Sequence, residues 1–90
     1  MSWYVYIIKC SDSSYYTGIS TNVNRRTKEH NGKKGAKSLF GKLPVALVYK
    51  EKAKNQVEAA KREREIKGWS HLKKEALVQK LAWSKQKGLP

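Results

Sequence analysis

The hydrophobic pattern changes period along the chain. From Trp3 to Ile8 every position is apolar or aromatic, and Lys9 ends the run. Both alternate sets, Trp3, Val5, Ile7 and Tyr4, Tyr6, Ile8, are apolar. A pleated strand sends alternate side chains to opposite faces. The run therefore predicts a strand over residues 3–9 that is central and covered on two sides. Ser11-Asp12-Ser13-Ser14 has turn composition. Tyr15-Tyr16-Thr17-Gly18-Ile19 predicts a second strand, joined to the first as a hairpin. Tyr16 and Gly18 share a face, as Tyr4 and Tyr6 do on the first strand. Gly18 has no side chain, which leaves room for something to approach the sheet.

The period then becomes helical. Thr21 or Asn22 caps a helix that runs to about His30, and Asn31-Gly32 ends it. Lys33 to Leu43 has no clear period and is expected to be a mobile loop. Pro44 opens a third strand over Val45–Tyr49, where its missing N–H falls at the start of the ladder. Asn55-Gln56-Val57-Glu58 resembles a capping box for a second helix, which Gly68 closes. Ser70 caps a third helix with Leu72, Ala76, Leu77 and Leu81 on its apolar stripe. The order β-β-α-β-α-α predicts an α+β fold. We expect a two-layer sandwich, with a three-stranded, mainly antiparallel sheet flanked by helices. Residues 1–84 form one domain and 85–90 a frayed basic tail.

Two helices carry polar groups where an apolar stripe is expected. Val23, Arg26, Thr27 and His30 follow i, i+3, i+4, i+7 and share a face of the first helix. If Val23 points inward, Arg26 and His30 lie near the sheet, and an inward guanidinium needs a partner. The plain alternative is an ion pair with Glu63, or a rim position with the head in water. Arg25 points elsewhere and belongs to the basic surface. On the second helix Ala59, Ala60 and Ile66 span one arc, and Glu63 falls near its middle. Its plain alternative is a salt bridge to Arg26 or Lys67. Its functional reading is a hard carboxylate ligand for a divalent cation.

Composition supplies a partner for such a site. The 90-residue chain has 20 Lys+Arg against 7 Asp+Glu, a net charge of +13. Self-repulsion on that scale favours a polyanionic partner, with nucleic acid first. A solvated lysine-rich surface, or a ribosome-associated one, is the bland alternative, and a membrane surface is a weaker third. The single cysteine, Cys10, excludes an internal disulfide and reads as a small hydrophobe at a strand end. One Cys and two His do not make a structural zinc site. No secretory pattern or membrane-length apolar run is present, so a soluble, cytoplasmic, monomeric protein is expected.

Together, Tyr6, Tyr16, Arg26, His30 and Glu63 form a plausible hydrolytic set for a phosphodiester. A base activates water, a metal acts as Lewis acid, and a cation stabilises charge on the phosphate. A tyrosine base is unusual, because its ordinary pKa is about 10. Tyr4, Tyr15 and Tyr49 are read as core or stacking residues.

These residues resemble the GIY-YIG nuclease superfamily, specifically its small single-domain group. Tyr4-Val5-Tyr6 stands in the first motif and Tyr16-Thr17-Gly18 in the second. Thr21-Asn22-x-x-Arg25-Arg26-x-x-x-His30 resembles the helix that follows. Glu58-Ala59-Ala60-Lys61-Arg62-Glu63-x-x-Ile66-Lys67 resembles the metal-site helix. The ordered set is specific where the tripeptides alone are not. The resemblance implies metal-dependent cleavage of DNA at a single site, with Mg2+ or Mn2+ as cofactor.

By position, Tyr6 and Tyr16 are the motif tyrosines, and we favour Tyr6 as base, although the sequence does not separate the two. Arg26 holds the scissile phosphate, Glu63 the metal, and His30 is an extra contact or proton carrier. Gly18, Arg25, Lys33, Lys34, Lys37 and Lys67 are assigned to nucleic-acid binding, with RNA as a further substrate class. Tyr4 departs from the glycine of the first motif. Leu39 and Phe40 make the long loop apolar where close relatives tend to be polar. Superfamily nucleases commonly rely on an attached targeting domain, for which one domain leaves no room, so low intrinsic specificity is expected. The leading reading is an endonuclease acting on branched or damaged DNA in repair or recombination. A basic nucleic-acid-binding module with little or no catalysis is second. An interaction module that docks a partner protein through the Leu72–Leu81 stripe is third.

Overall fold

A computed structural model of the protein describes residues 2–32 and 41–86, with 81–86 as backbone alone. The elements follow the expected order: β1 (Trp3–Lys9), β2 (Tyr15–Ser20), α1 (Val23–Asn31), β3 (Ala46–Ala53), α2 (Gln56–Lys67) and α3 (His71–Gln86). The strands form an antiparallel sheet in the order β2-β1-β3. The doubly apolar run is thus the central strand. Its Val5, Ile7 and Ile8 are fully buried, and Tyr6 is nearly so. The hairpin closes through Asp12, whose carboxylate accepts from the Ser14 backbone N–H at 3.0 Å. Ser13 takes the left-handed backbone of such a turn, with φ 70°.

The sheet is covered on both faces. Tyr6, Ile8 and Cys10 pack with Val23 of α1 and with Val45. Val5 and Ile7 pack with Ala59 and Ile66 of α2, and Leu77 and Val78 of α3 join that side. Cys10 is buried at the end of β1 and is a free thiol, as expected.

Local capping explains where the helices begin. Asn22 Oδ1 accepts from the Arg25 N–H at 3.0 Å, and Asn55 Oδ1 from the Glu58 N–H at 2.9 Å. Ser70 Oγ accepts from the Lys73 N–H at 3.2 Å. Gly32 and Gly68 follow the last turns of α1 and α2. At its far end α1 is tied down by its own Asn31. The Asn31 side chain accepts the Val45 N–H at 2.7 Å and donates to the Val45 carbonyl at 3.0 Å.

Three expectations need correction or fall outside the described residues. β3 extends to Ala53, beyond the expected end at Tyr49. The stripe expected on α3 is also rotated. Leu72 is 77% exposed and Ala76 is exposed, while Leu77 and Val78 face the core. Trp69, just ahead of α3, packs on the same side of the core as Leu77 and Val78, and its ring sits between the Arg62 guanidinium at 5.1 Å and the Lys73 ammonium at 4.3 Å. The loop residues Lys33, Lys34, Lys37, Leu39 and Phe40, the side chain of Leu81 and the end of the basic tail lie outside the described residues. No helix among the described residues is long and apolar enough to cross a membrane.

Candidate active site

Register brings the motif residues together. Tyr6 on β1 lies opposite Gly18 on β2, and Ile8 lies opposite Tyr16. Tyr6, Tyr16 and Gly18 therefore share the face that α1 covers. A Cβ built on Gly18 would stand 2.6 Å from the Tyr6 phenol oxygen and 2.7 Å from its Cζ. The room at Gly18 is thus filled by the Tyr6 ring. This corrects the expectation of an open approach for something outside the sheet.

α1 adds the next two groups. His30 is 1% exposed, and its Nε2 is hydrogen-bonded to the Tyr6 phenol at 3.0 Å. Its ring meets the Tyr16 ring edge-on at 5.4 Å between centroids. Burial, and then the charge of Arg26, push the His30 pKa below its ordinary value, against the pull of Glu29. The imidazole is thereby kept neutral. Arg26 is half-buried and lies near the Tyr6 phenol, whose ionised form its charge favours. Burial is still the largest influence on Tyr6, followed by the charge of Tyr16, and its pKa is pushed up to about 12.

Arg26 does not pair with Glu63, the alternative that the sequence left open. Its Nη1 donates to Glu29 Oε1 at 3.1 Å. The other oxygen of Glu29 lies 3.9 Å from Arg25 Nε. Glu29 was missed in the sequence, although its i+3 and i+4 spacing from the two arginines is a readable signal. Glu63 sits on α2 between the buried Ala59 and Ile66, with its side chain 23% exposed. Its partner is Lys67 at 3.4 Å, the second of its two open alternatives. Glu63 still belongs to the cluster, because its charge raises the pKa of Tyr6. Tyr6 of β1, Tyr16 of β2 and Arg26 and His30 of α1 thus gather on one face, and Glu63 of α2 stands near enough for its charge to act on Tyr6.

One carboxylate is compatible with Mg2+ or Mn2+. Such hard cations keep several waters and take one or two carboxylates together with substrate phosphate oxygens. No cluster of three or more metal-ligating side chains occurs among the described residues.

The remaining tyrosines have packing roles. Tyr15 stacks on His71 at 4.8 Å, and Tyr49 donates to Glu51 at 2.7 Å. Arg25 is exposed, and Lys67 is held by Glu63.

A three-stranded antiparallel sheet with Tyr6, Tyr16, Arg26 and His30 gathered on one face is the arrangement expected of a nuclease-type catalytic domain. Residues 2–76 match the GIY-YIG catalytic domain, and the chain belongs to that family. A UPF0213 protein of Desulfotalea psychrophila is 47% identical over 78 residues, which cover 86% of this chain and 71% of that protein. The solution NMR structure of the UPF0213 protein of Bacillus halodurans is 46% identical, covers 88% of this chain and 84% of its own, and superposes with a TM-score of 0.56. An NMR structure from E. faecalis is 33% identical, with coverage of 92% and 88% and a TM-score of 0.61.

Proposed function

We propose that the chain is a divalent-metal-dependent endonuclease that hydrolyses DNA phosphodiesters, with branched or damaged DNA in repair or recombination as its substrates. The observation that carries this reading is the gathering of the Tyr6 and Tyr16 phenols, the His30 imidazole and the Arg26 guanidinium on one face of a strongly basic domain, with the Glu63 carboxylate near enough for its charge to act on Tyr6. The family implies a nucleic-acid substrate, and the net charge of +13 favours approach of a polyanion.

Arg26 binds a non-bridging oxygen of the scissile phosphate, exchanging Glu29 for it. Its position is held from the inside by Tyr6. Glu63, paired with Lys67 in the structure, would hold Mg2+ or Mn2+, and the cation would supply Lewis-acid stabilisation. The attacking water gives up its proton as its oxygen bonds to phosphorus. The opposite phosphorus–oxygen bond breaks, and the departing oxygen takes a proton from solvent water.

We assign proton acceptance to Tyr16 rather than Tyr6. With a pKa of about 12, only about one Tyr6 in 10^5 is ionised at pH 7. Tyr6 is also buried and engaged by His30 and Arg26, whereas Tyr16 is half-buried and reachable. Tyr6 and His30 then serve as the rigid support beneath Arg26 and Tyr16.

The test is cleavage of plasmid and branched DNA with Mg2+ or Mn2+. Tyr16→Phe and Glu63→Ala should each lower the rate by about 10²–10⁴-fold, and Glu63→Ala should keep its DNA affinity. Cleavage that neither substitution changes would overturn the assignment. Tight binding by a wild type that cuts nothing would leave the binding-module reading in its place.

A further inference from the structure

β3 sorts its charges by face. Lys50 lies opposite Tyr6 and Lys52 opposite Tyr4, so both stand on the α1 side of the sheet. Glu51 between them points to the other face. There Arg62 binds it at 3.0 Å and Tyr49 donates to it at 2.7 Å. Lys50 and Lys52 are exposed, as is Lys54 just beyond the strand. The chain has 7 acids, and each has its ion-pair partner elsewhere. Among the described residues none lies within ion-pair distance of Lys50 or Lys52. Lys50 Nζ sits instead 5.4 Å from the centroid of the half-buried Tyr4 ring. The two lysines are about 7 Å apart along the strand, the scale on which phosphates repeat along a nucleic-acid backbone.

α1 separates this row from the candidate site. The helix leaves the end of β2 and finishes on Val45, just ahead of β3. It therefore crosses the sheet diagonally. Tyr16, near the start of β2, and Lys52, near the end of β3, occupy opposite corners of that face. A single strand seated at Tyr16 cannot reach Lys52 without climbing over α1. Two backbones of a duplex can straddle a helix, because the major groove, about 12 Å wide, admits one.

We propose that Lys50 and Lys52 form a second phosphate-binding row that holds the opposite backbone of double-stranded nucleic acid. The proposal rests on the nuclease reading for the seat of the first strand. It makes the row specific to duplex, because a single strand engages only the site. Lysines on an edge strand also discourage edge-to-edge pairing, and the test separates that role from this one.

The experiment measures binding of a short DNA duplex, and of one of its strands alone, by fluorescence anisotropy in EDTA between 50 and 200 mM salt. The wild type is compared with Lys50→Gln/Lys52→Gln and with Lys74→Gln/Lys80→Gln, which removes equal charge from α3. Each lost duplex contact should lower the slope of log K against log[salt] by about 0.9. For Lys50→Gln/Lys52→Gln the duplex slope should fall by about 2, so that its loss of affinity over this range is roughly tenfold smaller than that of the wild type. The single-strand slope and the slopes of the α3 variant should stay at the wild-type values. An unchanged duplex slope would overturn the proposal, with or without self-association in sedimentation. An equal fall on single strand, or an equal fall in the α3 variant, would overturn it too. A wild type that binds no DNA of either kind would instead remove the nuclease reading itself.

Discussion

Gly18→Ala tests the packing on which the site is built. The added Cβ would lie 2.6 Å from the Tyr6 oxygen, 2.7 Å from Cζ and 3.0 Å from Cε1. Ordinary contact begins at 3.4 Å, so the phenol end of the ring must recede by about 0.8 Å. Tyr6 has little freedom to do so. It is 1% exposed, packed against Ile8 and Val23, and hydrogen-bonded to His30 at 3.0 Å. Overpacking of a tight core costs about 1–3 kcal/mol, and a strained or lost hydrogen bond about 1 more. Removing a strand glycine returns about 0.5–1 kcal/mol of backbone entropy. The net loss is about 1–3 kcal/mol, or a Tm lower by about 5–20 °C for a domain of this size. Thermal denaturation followed by circular dichroism reads this directly. Combining Gly18→Ala with Tyr6→Phe removes the closest contact, so the double variant should lose less than the sum of the single losses. A Tm within about 2 °C of wild type, with the effect confined to KM, would refute the packing argument and restore Gly18 as an opening for substrate.

Two further outcomes follow from buried polar groups. Thr17 is 2% exposed, and its hydroxyl has no hydrogen-bond partner among the described residues. Thr17→Val removes an unsatisfied group, so its urea midpoint should match or exceed that of wild type, by up to about 1 kcal/mol. A clear loss of stability would refute this. The folded-state pKa of His30 is depressed below 6.5, so the unfolded chain binds a proton that the fold resists. This contribution is fully present above pH 6.5 and is lost as pH falls through the window down to the folded value. The urea midpoint should therefore drop between pH 7.5 and 5.5, and drop less in His30→Gln. A midpoint that is constant or rises toward pH 5.5 would refute it.

Much of the fold was legible because its signals are local. The two apolar faces of residues 3–8 marked a central strand, and Asn22, Asn55 and Ser70 marked helix starts through their own side chains. The site positions were legible through spacing, since Arg26 and His30 are one turn apart and Glu63 breaks an apolar arc. What could not be read depended on docking or register. Alternation put Tyr6 and Gly18 on equivalent faces, but only the pairing of the strands shows that one fills the space above the other. The stripe on α3 was misplaced because the side of the helix that meets the core depends on how it docks, and Leu77 and Val78 make that contact while Leu72 and Ala76 do not. A carboxylate partner for Arg26 was among the open alternatives, with Glu63 as its example, but the nearer Glu29 in the same helix takes that place. The burial that disfavours ionisation of Tyr6 arises only once α1 is laid over the sheet.

The pairing of Asn31 with both backbone groups of Val45 has a consequence for evolution. It fastens the end of α1 to the start of β3, so the two ends of the intervening segment are anchored regardless of what lies between them. One side chain thus decides how far α1 and β3 can part. A lineage that changes position 31 must find another tie between these elements if Arg26 and His30 are to keep their places over the sheet.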